Sequence, residues 1–228
     1  MNSPMRNCFC LATVLAALSS QAQGTFQNLN FEQADPMSAG NPLYPEAVTT
    51  ASALPDWTVT IGGVQQTEVF YDAPSLGGPA VMLVGPGNDP GFAPIDGYYS
   101  VLLQGTFSSS LPAISQTGLI PAGTQSLFFE AQAGIEGLDV LVGTQSVPIT
   151  AVGTGPNYTL YGATISAWAG QTEQLTFAAQ ESTAGLNNWV LDDISFSPQA
   201  VPEPSPLALT GIGAVLFALY RSIASKRQ

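Results

Sequence analysis

The sequence predicts an all-β protein built on a single β-sandwich. Three observations carry that expectation. Short apolar or alternating runs recur between clusters of Gly, Pro, Asn and Asp, the pattern of strands and turns. No amphipathic pattern of three helical turns occurs between Gln23 and Ala200. That stretch is long enough to bury one core. Its frequent aromatic and β-branched residues and its sparse charge exclude a disordered chain.

The elements follow in order. Phe26 to Glu32 alternates imperfectly and is expected to be a first strand. Pro36, Pro42, Pro45 and Pro55 mark a long irregular loop. Trp57, Val59 and Ile61 alternate with Thr58 and Thr60, a half-buried strand. Val64 to Tyr71 should pair with it across Gly62-Gly63. Ala80 to Val84 reads as a buried strand, and the Gly- and Pro-rich run from Gly85 to Gly97 as a surface loop. Tyr98–Gln104, Ile114–Leu119 and Ser126–Ala131 are the next strands, the last two parted by a turn at Pro121–Thr124. Leu138–Val142 and Val147–Val152 form a hairpin around Gly143. Tyr158–Ile165, Leu175–Ala179 and Trp189–Phe196 complete the domain.

Charge excludes several functions. The chain has four basic residues, Arg6, Arg221, Lys226 and Arg227, and no histidine, so none lies between Gln23 and Ala200. All but one of its sixteen carboxylates lie there. Nucleic acid is excluded as a partner, because no side chain of the body can neutralise phosphate. Histidine-dependent triads and histidine metal sites are excluded too. Catalysis would fall to carboxylates, but Glu130, Glu136, Asp139, Glu173 and Glu181 show no spacing that selects a hydrolytic pair. An acidic surface keeps the domain soluble and favours divalent cations.

The termini read as address signals. Arg6, an apolar run from Cys8 to Leu18 and Ser20-Gln21-Ala22 have the order of a signal peptide over residues 1–22, cut after Ala22. Both cysteines leave with it, so the body of residues 23–200 has no disulfide. At the other end Pro202, Glu203 and Pro204 form a stiff extended spacer. An uncharged run then extends from Pro206 to Tyr220. Its fifteen residues give roughly 22 Å of helix, short of the about 20 residues a span needs unless it reaches Ile223 with Arg221 at the interface. Arg221, Lys226 and Arg227 are the membrane stop and should stay cytoplasmic.

Val201-Pro-Glu-Pro-Ser205, the apolar run and the terminal basic cluster together resemble the PEP-CTERM sorting tail, here residues 201–228. The resemblance implies recognition by an exosortase, cleavage at or near the motif, and delivery to the cell surface or extracellular matrix. The body would cross the inner membrane and be held there only transiently. Within the body, Asn30-Phe31-Glu32, Ser166-Ala-Trp-Ala-Gly-Gln171 with Leu175-Thr-Phe177, and Asn188-Trp-Val-Leu-Asp-Asp-Ile-Ser-Phe196 are similar to the galactose-binding-like jelly roll shared by many carbohydrate-binding modules.

That resemblance implies a structural calcium ion at Glu32 and Asp193, with Asp192 as the alternate. Strand alternation puts the two aspartates on opposite faces. Asp89 and Asp96 are expected as turn formers. Trp57 and Trp189 sit in alternating strands and are expected in the core. Tyr98, Tyr99 and Trp168 are the candidate sugar platforms. The expected role is structural or adhesive within a polysaccharide layer and non-catalytic. The alternatives are a carbohydrate-binding module with a defined glycan and, third, a carboxylate-dependent glycoside hydrolase.

Overall fold

The computed structural model describes residues 25–202 except 74, 76 and 88–90. The signal peptide, Glu203, Pro204, the apolar run and the membrane stop of Arg221, Lys226 and Arg227 lie outside the described residues. Among the described residues no helix is long and apolar enough to cross a membrane.

The described residues form fourteen strands: β1 (Ala47–Thr49), β2 (Thr58–Ile61), β3 (Val64–Gln65), β4 (Glu68–Tyr71), β5 (Ala80–Val84), β6 (Ser100–Gly105), β7 (Pro112–Leu119), β8 (Ser126–Gln132), β9 (Leu138–Val142), β10 (Gln145–Val147), β11 (Thr150–Thr154), β12 (Thr159–Thr164), β13 (Thr172–Ala179) and β14 (Asn187–Ser197). One sheet runs β1-β4-β5-β6-β14-β8-β12-β11 and the other β10-β9-β13-β7-β2-β3. Every strand pairing is antiparallel except β4 with β5.

The period-two side-chain pattern fills the space between the sheets. Val81, Leu83, Val101, Leu103, Leu127, Phe129, Trp189 and Leu191 point inward from the first sheet, against Val59, Ile114, Val140, Leu175 and Phe177 from the second. Trp57 and Trp189 are both buried there. Each satisfies its indole N–H, Trp57 on the Asn28 carbonyl at 2.9 Å and Trp189 on the Glu136 carbonyl at 2.9 Å. A smaller core lies on the outer face of the larger sheet. Ile95 covers Met82, Val84, Leu102 and Val190, with Phe92 packed alongside, so the Gly- and Pro-rich loop is anchored onto the sheet.

Several sequence expectations change. Phe26 to Glu32 is not a strand: Thr25 makes one isolated bridge to Leu119, and turns follow. Phe31 adopts φ 58° and is fully buried, so its side chain holds a loop rather than a ladder. The proline-rich loop is not wholly irregular. It closes in β1 and a single helical turn, α1 (Thr50–Ala53). Val64 to Tyr71 divides. β3 completes the hairpin with β2, but β4 crosses to the other sheet between β1 and β5. Val147 to Val152 divides in the same way: β10 pairs with β9, whereas β11 joins β12 in the larger sheet.

Registers give the sandwich two distinct ends. Ser197 pairs with Ser126, Ser126 with Thr164, and Val84 with Ser100, so these residues share one end. Gln125 bonds to Ser197, and the Ile120–Gln171 bond brings the Leu119 end of β7 and β13 to the same place. Thr25 bridges Leu119 there, and the Phe26 and Phe196 rings meet at 4.9 Å. The described chain therefore enters and leaves at one end. Asn187, Gly105, Ala80 and Ile61 mark the opposite, distal end.

Candidate functional site

Two places gather polar chemistry. The first is an acidic corner where β14 meets the loop before β6. The register of β14 on β8 shifts between Asp192 and Ser195, and Asp193 takes φ 42° in that bulge. The extra residue breaks the strand alternation that would set the two aspartates on opposite faces, and both stand close to Asp96. Asp192 is buried at 1% exposure. Its Oδ2 accepts from the Ser100 hydroxyl at 2.6 Å and the Asp96 N–H at 3.2 Å, and its Oδ1 from the Asp193 N–H at 2.8 Å. Burial pushes its carboxyl up to about 7 against the opposing pull of those three donors.

The neighbouring carboxylates disfavour one another's charge. Burial raises Asp193, and Asp96 and Glu32 raise it further. Burial also raises Glu130, opposed by a hydrogen bond with Tyr158, and Asp193 and Asp96 add to the rise. That bond to Glu130 holds the Tyr158 phenol above its ordinary value. No basic residue exists between Gln23 and Ala200 to offset these carboxylates.

Glu32 is used differently. Its Oε1 accepts the backbone N–H groups of Tyr98 at 2.8 Å and Tyr99 at 2.9 Å. Gly97 lies against it with φ 58°, and a Cβ there would stand 2.4 Å from Oε1. Glycine takes that dihedral and that approach without strain. The oxygen donors are of the kind calcium takes. Among the described residues, however, no three Asp, Glu, His or Cys side chains gather as a metal-binding group. Glu32 is near enough to Asp193 to raise its carboxyl, whereas both oxygens of Asp192 accept protein hydrogen bonds. Asp96 caps the corner through its N–H, and Asp89 lies outside the described residues.

The candidate sugar platforms are separated by burial. Tyr98 is 66% exposed, while Tyr99 and Trp168 are half-buried and packed against the main core. Trp168 ends a single 3-10 turn, Ser166–Trp168, and its backbone N–H bonds to the Ile165 carbonyl.

The second place is a groove at the distal end. Its open part encloses about 860 Å³ between Leu43, Tyr44, Glu46, Gln66, Phe70 and Pro79. A narrower recess of about 180 Å³ continues from it between the two sheet edges, reaching Val59 and Ile61 on one side and Val69 and Val81 on the other. Here the edge of β1 and β4 parts from the edge of β2 and β3, and the proline-rich loop forms the lip. Tyr44 is half-exposed, and its ring meets Phe70 edge-on at 5.8 Å. The Asn41 amide donates to Glu68 Oε2 at 2.8 Å and holds that carboxylate at the wall. The Tyr44 carbonyl accepts the Ala47 N–H at 2.9 Å, closing the loop onto β1.

The groove thus sets an aromatic face beside two amides, Asn41 and Gln66, and two carboxylates, Glu46 and Glu68. Apolar walls with a few polar groups suit a small polar ligand. Tyr98, Tyr99 and Trp168 do not line it. Sequence reading missed its residues because they come from four separate segments. The available signal was Leu43-Tyr44 between Pro42 and Pro45, apolar side chains held out on a stiff loop.

No protein-family model matches the chain, and no curated protein does. Among solved structures it is similar to TmCBM61 in complex with beta-1,4-galactotriose. The TM-score is 0.43 at 15% identity, over 78% of this chain and 100% of that chain.

Proposed function

We propose that this is an exported, non-catalytic surface or matrix protein that holds polysaccharide in its distal groove. The observation that carries the reading is the position of the groove. Tyr44, Asn41, Gln66 and Glu68 meet at the end of the sandwich opposite Thr25 and Ser197. A domain tethered or delivered through its tail would present that end outward. An exposed aromatic face stacks on a sugar ring, and the amides and carboxylates accept or donate to its hydroxyls. Phe107, Ile135 and Leu186 are exposed at the same end, so it is also apolar outside the groove.

The sorting part of the reading rests on the tail sequence: Pro202, Glu203 and Pro204, the apolar run, and Arg221, Lys226 and Arg227. The exosortase is the partner it names, and the membrane is a transient one. A structural calcium ion belongs to the same reading. It would rest on Glu32 and Asp193 with backbone or water oxygens completing its shell. Support comes from the nearness of Glu32 to Asp193, whose carboxyl it raises, without any basic side chain in the body.

The test is retention of the full chain on immobilised neutral, amine-bearing and uronate polysaccharides, including β-1,4-galactan. Retention that Tyr44→Ala abolishes is the expected result. Failure to bind any member of the panel would sink the polysaccharide reading. Mass spectrometry of the protein from cells with and without exosortase tests the sorting reading separately. An intact tail in both would sink that part.

A further inference from the structure

We infer that the distal groove selects a glycan bearing free amines over one that is neutral or acidic. The inference rests on the polysaccharide reading above and names the ligand class of the same site. Two carboxylates, Glu46 and Glu68, stand at its walls. Asn41 fixes Glu68 by donating to Oε2, so the charge is held in place and not free to swing away. Between Gln23 and Ala200 no Lys, Arg or His exists to neutralise either one. The positive charge that would complement them must come with the ligand.

The walls strengthen this preference. Val59, Val69, Val81 and Phe70 line the recess beside Glu68 and keep its dielectric low, which focuses the field of that carboxylate, while Glu46 stands at the open part. A sugar ammonium entering there gains charge-assisted hydrogen bonds to carboxylate oxygens. Tyr44 offers its ring face as a cation–π partner beside those oxygens. A neutral hexose would keep the stacking and the hydroxyl contacts but lose the ionic ones. A uronate or sulfated sugar would meet like charge with nothing to offset it.

Groove charge is also distinct from general acidity. Asp192 is buried, and Glu32 accepts two backbone N–H groups, so these carboxylates are engaged by the fold itself. Glu46 is exposed and Glu68 half-exposed, at the mouth of a cavity sized for one or two sugar rings.

The experiment is calorimetry of the full chain, kept in solution by a detergent without a sugar headgroup. The probes are a tetrasaccharide of glucosamine and its fully N-acetylated counterpart. The pH is about 6, where an amine of pKa about 8 is charged. The charged tetrasaccharide should bind about tenfold tighter, and high salt should erase most of that margin. Glu46→Gln with Glu68→Gln should remove the margin while the acetylated probe still binds. Tyr44→Ala should weaken both probes.

Equal affinity for the two probes would overturn the inference and leave the polysaccharide reading standing. Tight binding of the charged probe that survives the groove variants would mean diffuse attraction to an acidic surface, and would also overturn it. Binding of neither probe, nor of any glycan on the panel, would overturn both.

Discussion

The acidic corner and the distal groove are built from the same residue types and do opposite things with them. In the corner, backbone N–H groups and a serine hydroxyl converge on the carboxylates. Asp192 gathers three donors and Glu32 two. These bonds fasten the loop before β6 onto β14 and onto the segment after Phe31. In the groove, an amide steadies Glu68, and the aromatic ring beside it remains half-exposed. The difference is one of direction. Carboxylates that face backbone donors use their hydrogen bonds inside the protein. Carboxylates at the open, aromatic-lined groove stay reachable from outside, Glu46 exposed and Glu68 half-exposed.

The contrast is most vulnerable at Asp192. Asp192→Ala should destabilise the protein by about 3 kcal/mol, because it leaves buried donors without an acceptor. Urea denaturation would measure it, and a loss below about 1 kcal/mol would mean the corner is not a fastening. Tyr44→Ala should show the reverse. It should weaken glycan binding about tenfold or more while changing stability by less than about 1 kcal/mol. Joint loss of fold and binding would erase the distinction between the regions.

Acidity separates the two regions further. Folded Asp192 keeps its proton up to about 7, whereas in the unfolded chain it ionises near about 4. Between those values the folded state binds more protons, so this group's contribution to stability falls as pH rises through the window. Melting scans in EDTA should show that decline, and Asp192→Asn should flatten it. A calcium effect should be smaller. Added Ca²⁺ should raise Tm by a few degrees, and Glu32→Gln or Asp193→Asn should cancel the rise. An unchanged Tm in the native chain would remove the ion from the corner. The smallest expected change is the stability of Glu68→Gln, within about 0.5 kcal/mol of native.

Much of the sandwich is legible in the sequence because alternation reports burial residue by residue. Trp57-Val59 and Trp189-Leu191 lie in the core as their spacing requires. The errors have one physical cause. Alternation says which face a residue takes, not which sheet its strand joins. Glu68–Tyr71 and Thr150–Thr154 look like continuations of hairpins, yet each pairs in the opposite sheet from the strand before it. Phe31 fits an apolar strand position but is buried from a left-handed turn, which no period reveals. Asp192 and Asp193 are separable in sequence. The bulge that sets Asp193 at φ 42° beside Asp96 and Glu32 is not.

What this domain lacks is written in its residues alone. Without a basic side chain from Gln23 to Ala200, it has no side-chain ion pairs and no side chain that can neutralise phosphate. The residue patterns of both termini, and the alternation that makes two packed sheets, are equally local properties of the chain. Where chemistry can happen is not. Asn41 and Tyr44, Gln66 to Phe70, and Ala80 to Val81 meet only because β4 leaves the β2–β3 hairpin for the other sheet. The edges part there, and a groove needs that separation. It arises from strand pairing between distant segments, which local residue patterns do not encode.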